Sequence, residues 1–174
     1  MLSDSYLRTV YLAMFHSHIS YGLLLWGHSP RCHDILLLQK RALRLITSSD
    51  YREHCRPIFI RLKILTVFSH YVLLSLLHVK NNEAALPTRR EQHNLNIRGG
   101  TSVSVPFRRL SKTKDCFPVL ALRMFNTLPE EVRLKDMRTF KKDIKSWLIS
   151  TPFYSLREFF EADRTRITQP AAKL

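Results

Sequence analysis

From Leu7 to Trp26 bulky residues recur at three- and four-residue steps, so that Val10, Tyr11, Met14, Phe15, His18, Tyr21 and Gly22 fall on one side of a helix. A helix carrying so many large groups on one face must bury that face against other elements. Its end is apolar on every side at Leu23, Leu24, Leu25 and Trp26, the pattern of a core element, and Gly27 with Pro30 stops it. The expectation is a single long helix over 7–26, buried along that face, with the rest of the chain packed around it.

The remaining pattern is also helical. A second helix is predicted over 31–46, with Ile35, Leu38, Ala42, Leu45 and Ile46 facing inward. On its other side Lys40, Arg41 and Arg44 fall within about 100° of arc by the 3.6-residue period, as either a ridge for phosphates or a solvated face. Ser48, Ser49 and Asp50 mark a turn, and Pro57 suits the first turn of a short helix ending near Leu62. The next element, over 65–80, carries Phe68, Tyr71, Val72, Ser75 and Val79 along one side and leucines over most of the rest, which places it at the centre of the core. Its apolar run contains Ser69, His70, Ser75 and His78 and falls short of the roughly 20 residues a bilayer requires, so it reads as a buried helix and no membrane partner is expected.

Between Asn81 and Lys114 the apolar period gives way to Pro87, Gly99, Gly100, Pro106 and a run of basic side chains. This segment reads as a long loop or arm that orders against a partner, with a short strand over 101–105. Helical spacing returns over 117–125, at Pro129 with Glu130 and Glu131, and over 137–149, where Phe140, Ile144 and Trp147 face inward and Lys141, Lys142 and Lys145 outward. After Pro152 the pattern weakens. Only four glycines and a scarcity of alternating β-branched runs complete an all-α, mainly helical reading. The bundle is irregular, with about five to seven helices, split into a helical segment over 1–80, a basic loop over 81–114, a helical segment over 115–150 and a weakly structured tail over 151–174.

Charge points to the partner. The chain has 28 Lys and Arg against 14 Asp and Glu, a formal net charge of +14, which favours an acidic partner. Ten basic residues against two acidic ones lie between Arg61 and Lys114, and this clustering favours nucleic acid over general solvation. Tyr51 with Arg52, Phe107 with Arg108 and Arg109, and Arg123 with Phe125 interleave aromatic and basic groups in the manner of base stacking beside phosphate contacts.

Catalytic classes find little purchase. Cys32, Cys55 and Cys116 are odd in number and far apart, which argues against a disulfide framework or paired-cysteine zinc site and for a reducing, intracellular compartment, nuclear or cytoplasmic. The first residues lack the basic-then-apolar pattern of a secretory signal. His28, Cys32 and His33 come nearest to a metal-ligand set but lack a fourth partner, whereas His16 and His18 point about 200° apart on a helix. The aspartates are scattered, no Asp-Asp pair exists, and no phosphate loop, nucleophile elbow or dinucleotide fingerprint is present. No catalytic residue, metal or cofactor is therefore assigned.

The order of motifs nevertheless resembles one family. Leu7-x-x-Val10-Tyr11-x-x-x-Phe15-His16-Ser17-His18-Ile19-Ser20-Tyr21-Gly22-x-x-x-Trp26-Gly27 is followed by Leu37-Leu38-Gln39-Lys40-Arg41-Ala42-x-Arg44-x-Ile46. Then come Pro57-x-Phe59-x-x-Leu62-x-Ile64-Leu65, His93-Asn-Leu-Asn-Ile-Arg98, Phe125-Asn126-x-Leu128-Pro129 and Phe140-Lys141-Lys142-x-Ile144-Lys145-x-Trp147-Leu148. Together they resemble the region just after the catalytic palm in reverse transcriptases of non-LTR retrotransposons, jockey-like elements above all. The resemblance implies the later thumb helices and the region beyond them in an RNA-directed DNA polymerase whose metal-binding aspartates lie in the preceding palm. It implies binding of an RNA or RNA–DNA template–primer through its backbone. Lys40, Arg41 and Arg44 would then form a helical ridge, and Arg98, Arg108, Arg109, Lys112 and Lys114 a basic arm. The rival reading is a protein-interaction or self-associating module built on bare apolar faces, or a relic of a retroelement.

Overall fold

The computed structural model describes residues 3–93, 101–107, 109–110, 116–164 and 167. Among them it is mainly helical, with no strand. The helices are α1 (Asp4–Tyr11), α2 (Ser17–Ser20), α3 (Leu23–Trp26), α4 (Cys32–Thr47), α5 (Cys55–Arg61), α6 (Val67–Asn81), α7 (Arg89–His93), α8 (Phe117–Asn126), α9 (Glu130–Arg133), α10 (Met137–Ser150) and α11 (Leu156–Glu161). These segments outnumber the five to seven expected because several run for one or two turns between short breaks. No described helix is long and apolar enough to cross a membrane. The chain forms two compact units, Met1–Tyr71 with Ser146–Phe159 and Val72–Lys145 with Phe160–Leu174. This interleaving differs from the contiguous segments read from the sequence.

In the first unit the expected helix over 7–26 is broken. A π-helical turn, Leu12–His16, follows α1, and Gly22 adopts a left-handed φ of 60° between α2 and α3. Tyr11 and Ile19, eight residues apart, would be about 80° out of register on a regular helix by the 3.6-residue period. The wider π turn takes up that phase, so both are buried. The face expected to be buried is buried only in part: Tyr11 is enclosed and Phe15 half-buried, whereas Met14 is 73% and Tyr21 86% exposed, and Val10 is exposed as well. At the apolar end only Leu23 is fully buried, whereas Leu25 is exposed. His16 stacks on His70 with ring centroids 4.5 Å apart, and His18 is exposed. Gly27 is required where it stands, because a Cβ there would lie 2.3 Å from the Tyr71 ring.

The buried side of α4 is also rotated from expectation. Cys32, Leu36, Gln39, Leu43 and Thr47 face inward, and Leu38 and Leu45 are exposed. Gln39 explains the rotation. Its Oε1 accepts from the Val67 amide at 2.9 Å, and its Nε2 donates to the Leu65 carbonyl at 2.9 Å and to the Tyr11 hydroxyl at 2.6 Å. Burial pushes the Tyr11 phenol well above its usual titration range, partly offset by Gln39, so it stays a neutral hydroxyl. Beyond Leu65, Thr66 caps α6 by accepting from the Ser69 amide at 3.0 Å and donates to the Phe153 carbonyl at 2.6 Å. Ser69 Oγ in turn accepts from the Phe153 amide at 3.2 Å. Phe153 so placed packs edge-on against Trp147 and Phe159, at 5.5 and 5.8 Å between centroids. The segment read as a weak tail thus contributes core aromatics and α11.

In the second unit, Phe125 of α8 and Phe140 of α10 meet at 6.1 Å, and Val119, Leu120, Met124, Val132 and Ile144 are buried. The expected strand over 101–105 is reduced to one antiparallel bridge, Thr88 to Val103. The Arg89 amide donates to Ser102 and the Ser104 amide to Pro87, both at 2.9 Å. On its other side Val103 meets a side chain in place of a further strand. Its amide donates to Asn126 Oδ1 at 3.0 Å, and Asn126 Nδ2 donates to its carbonyl at 2.8 Å. Arg133 Nη1 also donates to the Thr101 carbonyl at 3.2 Å. Within the 81–114 segment, residues 87–89 and 101–104 are therefore held by the chain itself, where the sequence suggested an arm ordered by a partner.

Replacing Asn126 with Ala strips partners from a buried stretch of backbone, which costs on the order of 1–3 kcal/mol. The expected outcome is a lower denaturant midpoint together with faster hydrogen exchange at the Val103 amide; unchanged exchange there would show that Asn126 does not hold this segment.

Candidate nucleic-acid interface

The candidate site lies at the end of α4. The helix stops because Ser48 takes a left-handed conformation, φ 52° and ψ 34°, which turns the Ser49 amide back to Arg44 O at 3.0 Å and the Ser48 amide to Leu45 O at 3.3 Å. This is a Schellman closure with serine where glycine is usual. Thr47 Oγ1 adds bonds to Leu43 O and Ser49 Oγ, both at 2.8 Å. The following turn is set by Asp50, whose Oδ1 accepts from the Arg52 amide at 2.8 Å. Arg44 then bridges helix and turn, donating from Nε at 3.2 Å and Nη2 at 2.8 Å to Glu53 O. Its charge suits the negative end of the helix dipole.

These constraints place Tyr51 with its ring centroid 5.7 Å from the Arg44 guanidinium carbon. Arg41, Arg44, Leu45, Ser48, Ser49 and Tyr51 line an open hollow of about 570 Å³. Leu45 is 80% and Tyr51 76% exposed, so the hollow combines cationic groups with uncovered apolar surface. Anionic, planar or partly apolar ligands suit such a lining.

Of the residues expected to bind phosphate, Arg41 and Arg44 come together here. Lys40 does not join them. Its Nζ lies 3.7 Å above the centre of the Tyr154 ring, and the Arg56 guanidinium stands 4.6 Å from the same ring. Arg56 also pairs with Glu158 at 2.9 Å, and Glu158 accepts from the Tyr154 amide at 3.0 Å. Burial is the main cause lowering the Lys40 pKa and of the Tyr154 phenol being pushed up to about 12. Lys40 is thus a packing cation of the first unit, and the three-residue ridge reduces to two arginines.

In the second unit Arg109 is exposed between Phe107, also exposed, and Leu110. Arg98, Arg108, Lys112 and Lys114 lie outside the described residues. Of the aromatic–basic pairs, Tyr51 and Phe107 are exposed, whereas Phe125 is fully buried in the core. Sequence reasoning missed Leu45, assigned to the core by its helical spacing, and the two serines, read only as a turn. Their position beside Tyr51 depends on the left-handed closure at Ser48, for which the sequence carries no glycine as a signal.

The His28, Cys32, His33 set does not assemble. Cys32 faces the core, its thiol pushed up to about 12 by burial, while His33 is exposed one residue later. Among the described residues no group of three or more His, Cys, Asp or Glu side chains converges to hold a metal. Comparisons with protein-family models, with curated proteins and with solved structures return no match.

Proposed function

We propose that this chain binds the sugar–phosphate backbone of RNA or an RNA–DNA hybrid without reading sequence, in the manner of the thumb of a retrotransposon reverse transcriptase. The observation that carries this reading is the gathering of exposed Arg41 and fixed Arg44 beside Tyr51 in one hollow, on a chain with a net charge of +14. Phosphate contacts from such groups position a nucleic acid but carry no sequence information, which fits a part of a polymerase that must slide along its template. The order of motifs from Leu7 to Leu148, which resembles that family, supports this reading.

A second reading rests on the exposed apolar side chains Tyr6, Val10 and Met14 on the first helices and Leu38 and Leu45 on α4. Patches of this kind mark protein-interaction or self-association surfaces. Light scattering separates it: a mass that rises with concentration in the micromolar range supports association, and a constant monomer mass removes it.

The main reading is tested by binding of the purified chain to single-stranded RNA, an RNA–DNA hybrid and duplex DNA over roughly 50 to 200 mM salt. The expected result is a steep loss of affinity with salt for the RNA-containing probes, with Arg41→Gln lowering the slope by about one phosphate contact. Weak, salt-independent association with every probe would reduce the charge to a solvated surface.

A further inference from the structure

We infer that the hollow at the end of α4 receives one unpaired base of a nucleic-acid strand, stacked on Tyr51, with the adjoining phosphate outside on Arg41. This deepens the reading above and rests on it. Four features of the hollow point to a base rather than to phosphate alone. Its volume of about 570 Å³ lies within the range that holds small organic ligands. Its walls include the exposed ring of Tyr51 and the exposed side chain of Leu45, surfaces that a phosphate would not use. The Arg44 guanidinium is tied by two donors to Glu53 O, which fixes it beside the Tyr51 ring as a cationic wall of the hollow. The helix end itself is the negative pole of α4, which suits the N–H donors of a neutral heterocycle and leaves the arginine charge for the adjoining phosphate.

Arg41 completes the assignment. It lies four residues before Leu45, so the two share a face about 6 Å apart along the helix axis. A base seated at Leu45 and Tyr51 therefore brings its backbone within reach of the exposed Arg41. A paired base inside a duplex cannot enter, because its faces are already covered by its neighbours. The hollow consequently selects single-stranded nucleic acid, whatever its sequence, since every base has a face to stack.

The test uses the full chain with a short oligouridylate, an RNA–DNA hybrid and an abasic strand of the same length. Tyr51→Ala is expected to weaken oligouridylate binding about tenfold while leaving the salt slope unchanged. Tyr51→Phe should retain affinity, and binding of the hybrid should be unaffected by either change. The parent chain should bind the abasic strand as weakly as Tyr51→Ala binds oligouridylate. Because Tyr51 is exposed on a turn, thermal melting of the variants verifies that the fold is intact. Equal oligouridylate affinity for parent and Tyr51→Ala, or an equal loss for the hybrid, would overturn the site while leaving backbone binding in place. Failure of the parent to bind any nucleic-acid probe would overturn the backbone reading and this site together.

Discussion

Gln39 makes three hydrogen bonds from one buried amide, and each goes to a different place: the Tyr11 hydroxyl at the end of α1, the Leu65 carbonyl ahead of α6 and the Val67 amide that opens α6. Donor and acceptor cannot be exchanged, because the Val67 N–H needs an oxygen and the Leu65 C=O needs an N–H. The amide therefore fixes one rotation of α4, and with it the side of that helix that meets the core. Leu36 and Leu43 are buried in step with Gln39, and Leu38 and Leu45 are carried outward. The hollow at the end of α4 is a consequence: Leu45 lines it because Gln39 holds the opposite side inward.

The same device recurs elsewhere in the chain. Thr66 and Ser69 hold both backbone groups of Phe153 as a neighbouring strand would, and Asn126 holds both backbone groups of Val103. A helical protein has few strand edges with which to satisfy connecting segments, and buried backbone groups left unpaired are costly. Side-chain amides and hydroxyls take that role here, and they convert segments that look irregular in sequence into fixed parts of the fold.

This explains which features could be read from the sequence. The all-α class was legible because helical spacing persists through 31–46, 65–80, 117–125 and 137–149, and the structure places helices over each. Which face of each helix is buried was less legible. Apolar spacing on α4 pointed to Leu38 and Leu45, since a pattern of hydrophobicity cannot count a glutamine or a threonine as core. The stretch over 7–26 misled for a related reason, because the π turn at Leu12–His16 changes the phase within a run whose composition is uniformly helical. At the candidate site, Arg41 and Arg44 were visible as spaced cations. The diversion of Lys40 to the Tyr154 ring, more than a hundred residues away in sequence, was not, because nothing local to α4 announces its partner.

If α4 is oriented by a polar anchor and not by its apolar stripe, two single substitutions should violate ordinary hydrophobic expectation, and their denaturant midpoints test the account most directly. Gln39→Leu adds an apolar group to the core yet should destabilise the protein by about 3 kcal/mol or more, because it leaves three buried polar groups without their partner. Leu38→Gln removes an apolar group yet should change stability by no more than about 0.5 kcal/mol, as expected of an exposed site. A Gln39→Leu protein as stable as the parent, or a large loss from Leu38→Gln, would contradict the orientation of α4 on which the hollow depends.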